Sequence, residues 1–141
     1  MSDERTPVVE TAVKVRYAET DAQRVVYHGS YVVWFEVGRT EYCEKVGYPY
    51  PRMEAEGVFI TVVEVKVRYR KSVRYGDVVR VRTSVSEVRS RGCSFRYEVV
   101  LPDGTLAAEG STEHLFLDAA GRPRSTPIPI REAFAKFIAA N

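Results

Sequence analysis

Alternation of apolar and charged residues along much of this chain restricts its possible folds more than any other feature. In residues 60–70, valines and a tyrosine alternate with glutamate, lysine and arginine, and the same period of two recurs in residues 78–88, 93–101 and 12–17. A weaker alternation covers residues 105–117. Successive side chains of a strand point to opposite faces, so each stretch predicts a strand with one apolar face.

Short turns separate these predicted strands. Glycine-containing sequences at residues 75–77, 90–92 and 102–104 connect neighbours over a few residues, as expected of antiparallel pairs. A sheet with one charged face and one apolar face is antiparallel and covered on one side only. The apolar face of this sheet therefore needs a covering element.

One long segment departs from the period of two. From residue 30 to residue 46 the apolar positions follow helical spacing, with Ser30 as the expected N-cap. Gly38 in mid-helix costs about 1 kcal/mol relative to alanine, which a very close approach between helix and sheet would explain. Shorter helices are expected at residues 51–57 and 130–140. The sequence thus predicts an α+β fold in which a curved antiparallel sheet wraps around one long central helix.

Length, charge and cysteine content limit the classes of protein to which this chain can belong. The 141 residues predict one domain over residues 1–141. A formal net charge of +2 is too small to indicate nucleic-acid binding. Neither an apolar signal core nor a run of roughly 18 apolar residues is present, so we expect a cytoplasmic protein without membrane insertion. Cys43 and Cys93 are expected to be buried, reduced thiols.

The loop before the long helix has the strongest candidate chemistry. Asp21 lies seven residues before His28, where the positive end of the predicted helix exposes unpaired backbone N–H groups. Such donors polarise a carbonyl group while a carboxylate attacks it or activates water. Residue type alone favours a loop-solvating role for Asp21 and a structural role for His28. His114 alternates with strand residues and is expected in the core or in an interface.

The remaining residue patterns give little support for other kinds of function. No serine or cysteine lies in a nucleophile motif, and two histidines and two cysteines are too dispersed for a zinc site. Basic residues between positions 66 and 91 indicate mainly a solvated sheet face, with some at strand ends able to hold a phosphate-rich small molecule. RNA binding has little support, because no aromatic recognition pattern accompanies these charges.

Motifs on both sides of the helix start resemble a known family. The stretches YAETD at residues 17–21 and VVYHGSY at residues 25–31, followed by WFE at 34–36 and RTE at 39–41, are similar to the signature of hotdog-fold acyl-CoA thioesterases. The resemblance is to the 4-hydroxybenzoyl-CoA thioesterase-like branch, which includes the Tol-Pal-associated short-chain thioesterases. It covers approximately residues 8–130 and implies the hotdog fold.

This resemblance implies hydrolysis of an acyl-CoA thioester to the free acid and CoA, without a metal or further cofactor. Asp21 matches the family's catalytic aspartate, which serves as nucleophile or as general base for water. His28 matches the position whose backbone N–H polarises the thioester carbonyl, and its side chain is a further catalytic candidate. Tyr27 is expected to join the catalytic site and to shape the pocket.

The resemblance also implies substrate contacts. Tyr31 and Trp34 are expected to line the substrate pocket, while Arg89 and Arg91 are expected to contact the CoA phosphates. The family usually has a small residue, often glycine, three positions after the aspartate, whereas this chain has Arg24. A cation at this position would restrict the acyl pocket or touch CoA.

The sequence and the resemblance also lead to an expected oligomeric state and to two alternative functions. An exposed strand edge is a pairing surface, and family members join two such sheets and build the site between subunits, so we expect a homodimer or homotetramer. One alternative is a non-enzymatic acyl-CoA binding or sensor protein of the same fold, which Arg24 leaves open. The other is a hotdog dehydratase, which would use a histidine together with Glu36 or Glu41.

Overall fold

One six-stranded antiparallel sheet is the framework of the protein in the computed structural model, which describes residues 7–141. The strands are β1 (Val9–Lys14), β2 (Phe59–Tyr69), β3 (Val78–Val88), β4 (Cys93–Val100), β5 (Leu106–Leu117) and β6 (Pro123–Arg124). Their order is β1-β3-β4-β5-β2, with β6 paired to β5. The helices are α1 (Ser30–Val46), α2 (Tyr50–Ala55) and α3 (Ile128–Ala140). The first six residues of the predicted 1–141 domain lie outside the described residues.

The apolar face of the sheet packs against α1, which confirms the predicted sheet around a central helix. Phe35 of α1 stacks on the Tyr97 ring with centroids 4.2 Å apart, and Tyr42 meets Phe95 edge-on at 5.7 Å. Phe134 of α3 closes the core beside Tyr42. Each large side chain buried here contributes about 1.5–3 kcal/mol to folding. The alternation predicted for residues 78–88 and 93–101 is confirmed, because their inward residues are buried.

Gly38 occupies the point where α1 crosses β3. A Cβ atom at this position would overlap the Thr83 hydroxyl and lie 2.9 Å from a methyl carbon of Val81. Such distances lie well below ordinary van der Waals contact, so only glycine fits without displacement of the sheet. The predicted close approach between helix and sheet is confirmed.

Substitution of this glycine is expected to destabilise the fold. Gly38→Ala should lower the free energy of unfolding by about 1–3 kcal/mol, because overpacking outweighs the better helix propensity of alanine. Urea denaturation measures the effect. Lys45→Ala, an exposed change on the same helix, is the control and should stay within about 0.5 kcal/mol of wild type. Equal stability of both variants would contradict the close packing.

Two boundaries near the helix start differ from the predictions. The first strand spans Val9–Lys14 and not residues 12–17, because the Glu19 carboxylate accepts the Arg16 backbone N–H at 2.8 Å and folds the chain into a 3₁₀ turn. Ser30 is the first helical residue and Gly29 holds the cap position. The predicted N-cap was wrong, because the Ser30 hydroxyl donates to the Glu19 carbonyl oxygen at 3.2 Å.

Strand β2 forms one edge of the sheet, and several of its large apolar side chains are left partly exposed. The exposed fractions are 39% for Phe59, 56% for Val63 and 38% for Val65. A bulge between Val62 and Glu64 shifts the register with β5. The alternation in residues 60–70 correctly predicted a strand, but the bulge interrupts the predicted single apolar face. Ile60 and Val67 pack against the core, whereas Val63 does not. A long apolar edge of this kind is a pairing surface.

A buried polar network crosses the sheet behind α1. His114 is 1% exposed, and its Nε2 lies 2.7 Å from Thr112 Oγ1, which lies 2.6 Å from the Tyr97 hydroxyl. The predicted core position of His114 is confirmed. Burial, with a smaller effect of the Arg39 charge, lowers the pKa of His114 to about 4. Cys43 and Cys93 are free and buried as expected, and burial raises the pKa of each thiol to about 12.

The lowered pKa of His114 predicts acid sensitivity. The unfolded chain binds the imidazole proton near pH 6.5 and the folded protein only near pH 4, so acid favours unfolding across this window. The stabilisation is complete above pH 6.5, and about 3 kcal/mol of it is lost as the pH falls to 4. Unfolding free energies measured at several pH values should show this slope in wild type and in His28→Gln but not in His114→Gln. An unchanged slope in His114→Gln would contradict the assignment.

No helix within residues 7–141 is long and apolar enough to cross a membrane.

Candidate active site

A tight hairpin carries Asp21 immediately before α1. The Asp21 backbone N–H donates to the Val25 carbonyl oxygen at 2.9 Å, and Thr20 forms a β-bridge with Val26. At the base of the hairpin, the Tyr27 N–H donates to the Glu19 carbonyl oxygen at 2.8 Å. These bonds fix Asp21 relative to the helix start.

The Asp21 carboxylate is held by one oxygen and open at the other. Its Oδ1 accepts the backbone N–H of Gln23 at 2.8 Å and that of Val25 at 3.4 Å. Within residues 7–141 its Oδ2 has no hydrogen-bond partner, and the side chain is exposed. The turn therefore orients the carboxylate and leaves one oxygen for chemistry.

Two backbone donors at the start of α1 are also open. The Ser30 N–H donates to the Tyr27 carbonyl oxygen at 2.9 Å, and the Tyr27 N–H is used by the hairpin. The N–H groups of His28 and Gly29 have no acceptor among the described residues. The positive end of the helix dipole adds to their field. The predicted donors next to His28 are thus present in the structure.

Three aromatic rings lie together at the start of α1, next to these donors. The His28 ring lies 4.3 Å from the Tyr27 ring centroid and 6.2 Å from that of Tyr69. The Tyr69 hydroxyl donates to the His28 carbonyl oxygen at 2.8 Å, which ties the helix start to β2. A Cβ atom on Gly29 would lie 2.7 Å from a ring carbon of Tyr27. Glycine is therefore needed for Tyr27 to lie against the helix start.

Glu19 organises the hairpin from inside. Its carboxylate accepts the indole N–H of Trp34 at 2.9 Å, the Arg16 backbone N–H at 2.8 Å and the Arg16 guanidinium at 3.2 Å. Burial alone would raise the pKa of this carboxyl group, but these donors outweigh it and hold the pKa below the ordinary value of 4.5. No local pattern predicts this role of Glu19, since its partner Trp34 lies fifteen residues away.

Tyr31 and Trp34 lie beneath the site. Tyr31 is 3% exposed and Trp34 is 1% exposed, with ring centroids 5.0 Å apart. Tyr31 also meets Tyr69 edge-on at 5.1 Å, and burial raises its pKa to about 12. Within one protomer these two residues support the loop and the donors from below.

Arg89 and Arg91 lie at the other end of the sheet. The hairpin lies near the start of β3, because Val25 forms a β-bridge with Arg74, four residues before that strand begins. Arg89 and Arg91 follow the end of β3, about 33 Å away for eleven extended residues. Arg89 is paired with Glu113 at 3.1 Å and with the Ser94 hydroxyl at 2.6 Å. One protomer therefore does not bring these arginines to Asp21.

A polar cavity of about 190 Å³ opens beside β2. Arg39, Tyr50, Phe59 and His114 are among its lining residues. Arg39 is 8% exposed, and its Nη1 has no hydrogen-bond partner among the described residues. A buried guanidinium nitrogen without an acceptor is costly. The alternation pattern did not indicate it, because Arg39 lies on the helix.

Comparison with known proteins identifies the family of this chain. Residues 15–138 match the model of the thioesterase-like superfamily. YneP of Bacillus subtilis, which carries the provisional name of acyl-CoA thioesterase, is 35% identical over 86% of each chain. YbgC of Escherichia coli, named an acyl-CoA thioester hydrolase, is 31% identical over 86% of this chain and 92% of its own.

A solved structure matches the fold along almost the whole chain. The DHNA-CoA thioesterase of Staphylococcus aureus superposes with a TM-score of 0.89 at 36% identity, over 95% of this chain and 93% of its own. The same architecture carries here a hairpin with an open carboxylate followed by two open backbone donors. The chain therefore belongs to the thioesterase-like superfamily, and it is a hotdog-fold enzyme that hydrolyses thioesters.

Proposed function

We propose that the protein hydrolyses an acyl-CoA thioester to the free acid and CoA, with Asp21 as the reactive carboxylate. One observation carries this proposal: the hairpin that holds the free Oδ2 of Asp21 leads directly into the open N–H groups of His28 and Gly29. A thioester carbonyl needs such donors for its developing oxyanion, and a nucleophile or base beside it.

The reaction follows from these groups. The thioester carbonyl oxygen accepts the His28 and Gly29 N–H groups while Asp21 adds to the carbon or takes a proton from an attacking water. The C–S bond then breaks, and CoA leaves as the thiolate and gains a proton. A direct attack leaves an acyl anhydride on Asp21 that water cleaves to the acid. Each backbone donor is worth about 3 kcal/mol at the oxyanion.

The side chains around the donors have supporting roles in this scheme. Tyr27 and the His28 ring cover the carbonyl side of the site. Tyr31 and Trp34 support it from the core, and Trp34 does so through its hydrogen bond to Glu19. Water is the only co-substrate, so the scheme contains no metal or further cofactor.

A homodimer completes the site in this proposal. Asp21, Tyr27 and His28 are exposed in one protomer, whereas an enzyme excludes bulk water from the reacting groups. Antiparallel pairing of two β2 edges about a two-fold axis sets the Phe59 end of one strand beside the Tyr69 end of the other. Since Tyr69 contacts His28, the cavity beside Phe59 then adjoins the partner's helix start.

The two arginines predicted to contact CoA are remote from Asp21 within one protomer. Arg91 follows β3 at the Phe59 end of the sheet, so its predicted contact with CoA requires the partner protomer. Arg89 is largely neutralised by Glu113 and Glu87. A homotetramer of two such dimers and a cytoplasmic location stay predictions.

Product analysis tests this function against the two alternatives. The protein is incubated with a panel of straight-chain, aromatic and 3-hydroxyacyl CoA thioesters, and the products are identified by mass spectrometry. Free acid and CoA in equal amounts support the thioesterase. An intact thioester that is tightly bound would indicate a binding or sensor protein. Loss of water would indicate a dehydratase, although Glu36 lies about two helical turns from His28 and Glu41 lies still further along α1.

A further inference from the structure

We propose that a surface beside Asp21, formed by Tyr17, Arg24, Arg74 and Tyr75, binds the adenosine diphosphate part of the CoA substrate. We call these four residues the nucleotide surface. The proposal rests on the proposed function, since it assumes that the thioester lies at Asp21. It assigns the nucleotide to the same protomer as the carboxylate and not to the turn that carries Arg91.

Arg24 is the most unusual residue of this surface. It is the only non-glycine residue between positions 7 and 141 with a positive φ, at 67°. A residue with a Cβ atom in this conformation costs about 1 kcal/mol, which local structure has to offset. Its exposed guanidinium has no hydrogen bond or ion pair with any residue of the described range. An unpaired cation held at a strained turn beside the reactive carboxylate fits the recognition of an anion.

The hairpin brings a second free cation next to the first. Val25, which follows Arg24, forms a β-bridge with Arg74. The Asp77 carboxylate accepts the backbone N–H of Arg74 at 3.0 Å, and the Arg74 guanidinium has no partner within residues 7–141. Arg16 also lies here but is paired with Glu19 at 3.2 Å. Two guanidinium groups are therefore available for the two phosphates of a diphosphate.

Two exposed tyrosine rings adjoin these cations. Tyr17 is 78% exposed and Tyr75 is 62% exposed, and their rings meet edge-on with centroids 5.9 Å apart. Tyr75 directly follows Arg74 along the chain. Exposed aromatic faces next to arginine provide stacking for a purine base. The combination matches a nucleotide and not a simple anion.

The separation between Asp21 and Arg24 suits the length of CoA. Arg24 is three residues from Asp21, so their Cα atoms are at most about 10 Å apart. The pantetheine arm separates the thioester from the diphosphate by a similar or greater length when extended. A thioester at Asp21 can therefore place its phosphates at the exposed guanidinium groups of this surface.

A comparison of two thioesters tests the proposal. Acyl-CoA and the matching acyl-pantetheine share the reacting group, but only the first has the nucleotide. Arg24→Asn removes the charge while asparagine tolerates the positive φ, and Arg24→Lys keeps the charge. We expect Arg24→Asn to raise KM for acyl-CoA about tenfold, with less than a twofold change for acyl-pantetheine. Arg24→Lys should recover most of the loss, and Arg131→Asn on α3 is the matched surface control.

Binding of free CoA, measured by calorimetry, gives a readout that does not depend on turnover. The proposal expects Arg24→Asn to weaken CoA binding about tenfold, with a difference that shrinks as salt is added. Equal CoA affinity in wild type and Arg24→Asn would overturn it, as would a selective loss in Arg91→Asn alone. If wild type binds CoA but cleaves neither thioester, the proposed function fails while the calorimetry still decides the nucleotide surface.

Discussion

A protein that carries Val63→Glu together with Val65→Glu is expected to sediment as a 16.0 kDa monomer and to lose about 99% of its thioesterase activity. Both valines lie on the edge strand β2, with exposed fractions of 56% and 38%. Glu64 lies between them. The variant therefore has three consecutive acids, which meet the same three acids when two β2 edges pair.

The electrostatic repulsion between the acids of the two β2 strands determines whether the dimer dissociates. Like charges brought together in an interface cost several kcal/mol, which is enough to dissociate a dimer at micromolar concentration. Activity falls with dissociation because Asp21, Tyr27 and His28 then remain open to bulk water. The central packing of α1 against β3 and β4 is untouched, so the monomer should stay folded by circular dichroism.

The opposite edge of the sheet provides the control. Val8 and Val78 are 41% and 45% exposed near β1 and the start of β3, and Val8→Glu with Val78→Glu should change neither mass nor rate. Analytical ultracentrifugation and the rate of thiol release are measured on both variants. A wild-type protein that sediments as a monomer at micromolar concentration would refute the shared site. So would an active monomer of the β2 variant.

Local sequence patterns correctly predicted the parts of the fold in which the local preference of a residue and its tertiary packing favour the same structure. The alternation in β3 and β4 coincides with full burial under α1, and the glycine in mid-helix indicated the contact with Thr83. The end of β1 was missed because a buried carboxylate, Glu19, folds the chain back before the apolar pattern ends. Strand β2 was predicted with one continuous apolar face against the helix, but a bulge shifts its register and leaves Val63 more than half exposed.

The candidate reactive residues were easier to propose than the residues that hold them in place. Asp21 and His28 became candidates through the family resemblance, since residue type alone favours a loop-solvating acid and a structural histidine, and the N–H donors of a helix start need no particular side chain. Glu19 and Tyr69 escaped notice because their partners are distant in sequence: Trp34 lies fifteen residues from Glu19, and His28 lies forty-one residues from Tyr69. Arg39 is buried only because the sheet closes over that side of the helix.

Asp21→Asn is expected to reduce kcat about a thousandfold while the fold is retained. The amide oxygen of asparagine can still accept the N–H groups of Gln23 and Val25, so the turn and the hairpin persist. The amide can neither take a proton from water nor form a stable acyl intermediate. Loss of a positioned base or nucleophile costs about 10²- to 10⁴-fold. Binding of CoA should stay within about twofold of wild type.

A chemically matched substitution separates this effect from damage to a turn. Asp103 in the β4–β5 turn also accepts a backbone N–H two residues on, from Thr105 at 2.9 Å. Asp103→Asn therefore makes the same chemical change in the same kind of turn, without a role in the proposed reaction. Its kcat should equal that of wild type.

The release of free thiol from one acyl-CoA by wild type, Asp21→Asn and Asp103→Asn, measured side by side, tests the central claim most directly. The proposed site predicts turnover by wild type and Asp103→Asn, and a loss of about a thousandfold in Asp21→Asn with CoA binding retained. Hydrolysis at the wild-type rate by Asp21→Asn would contradict the assignment of the reaction to this carboxylate.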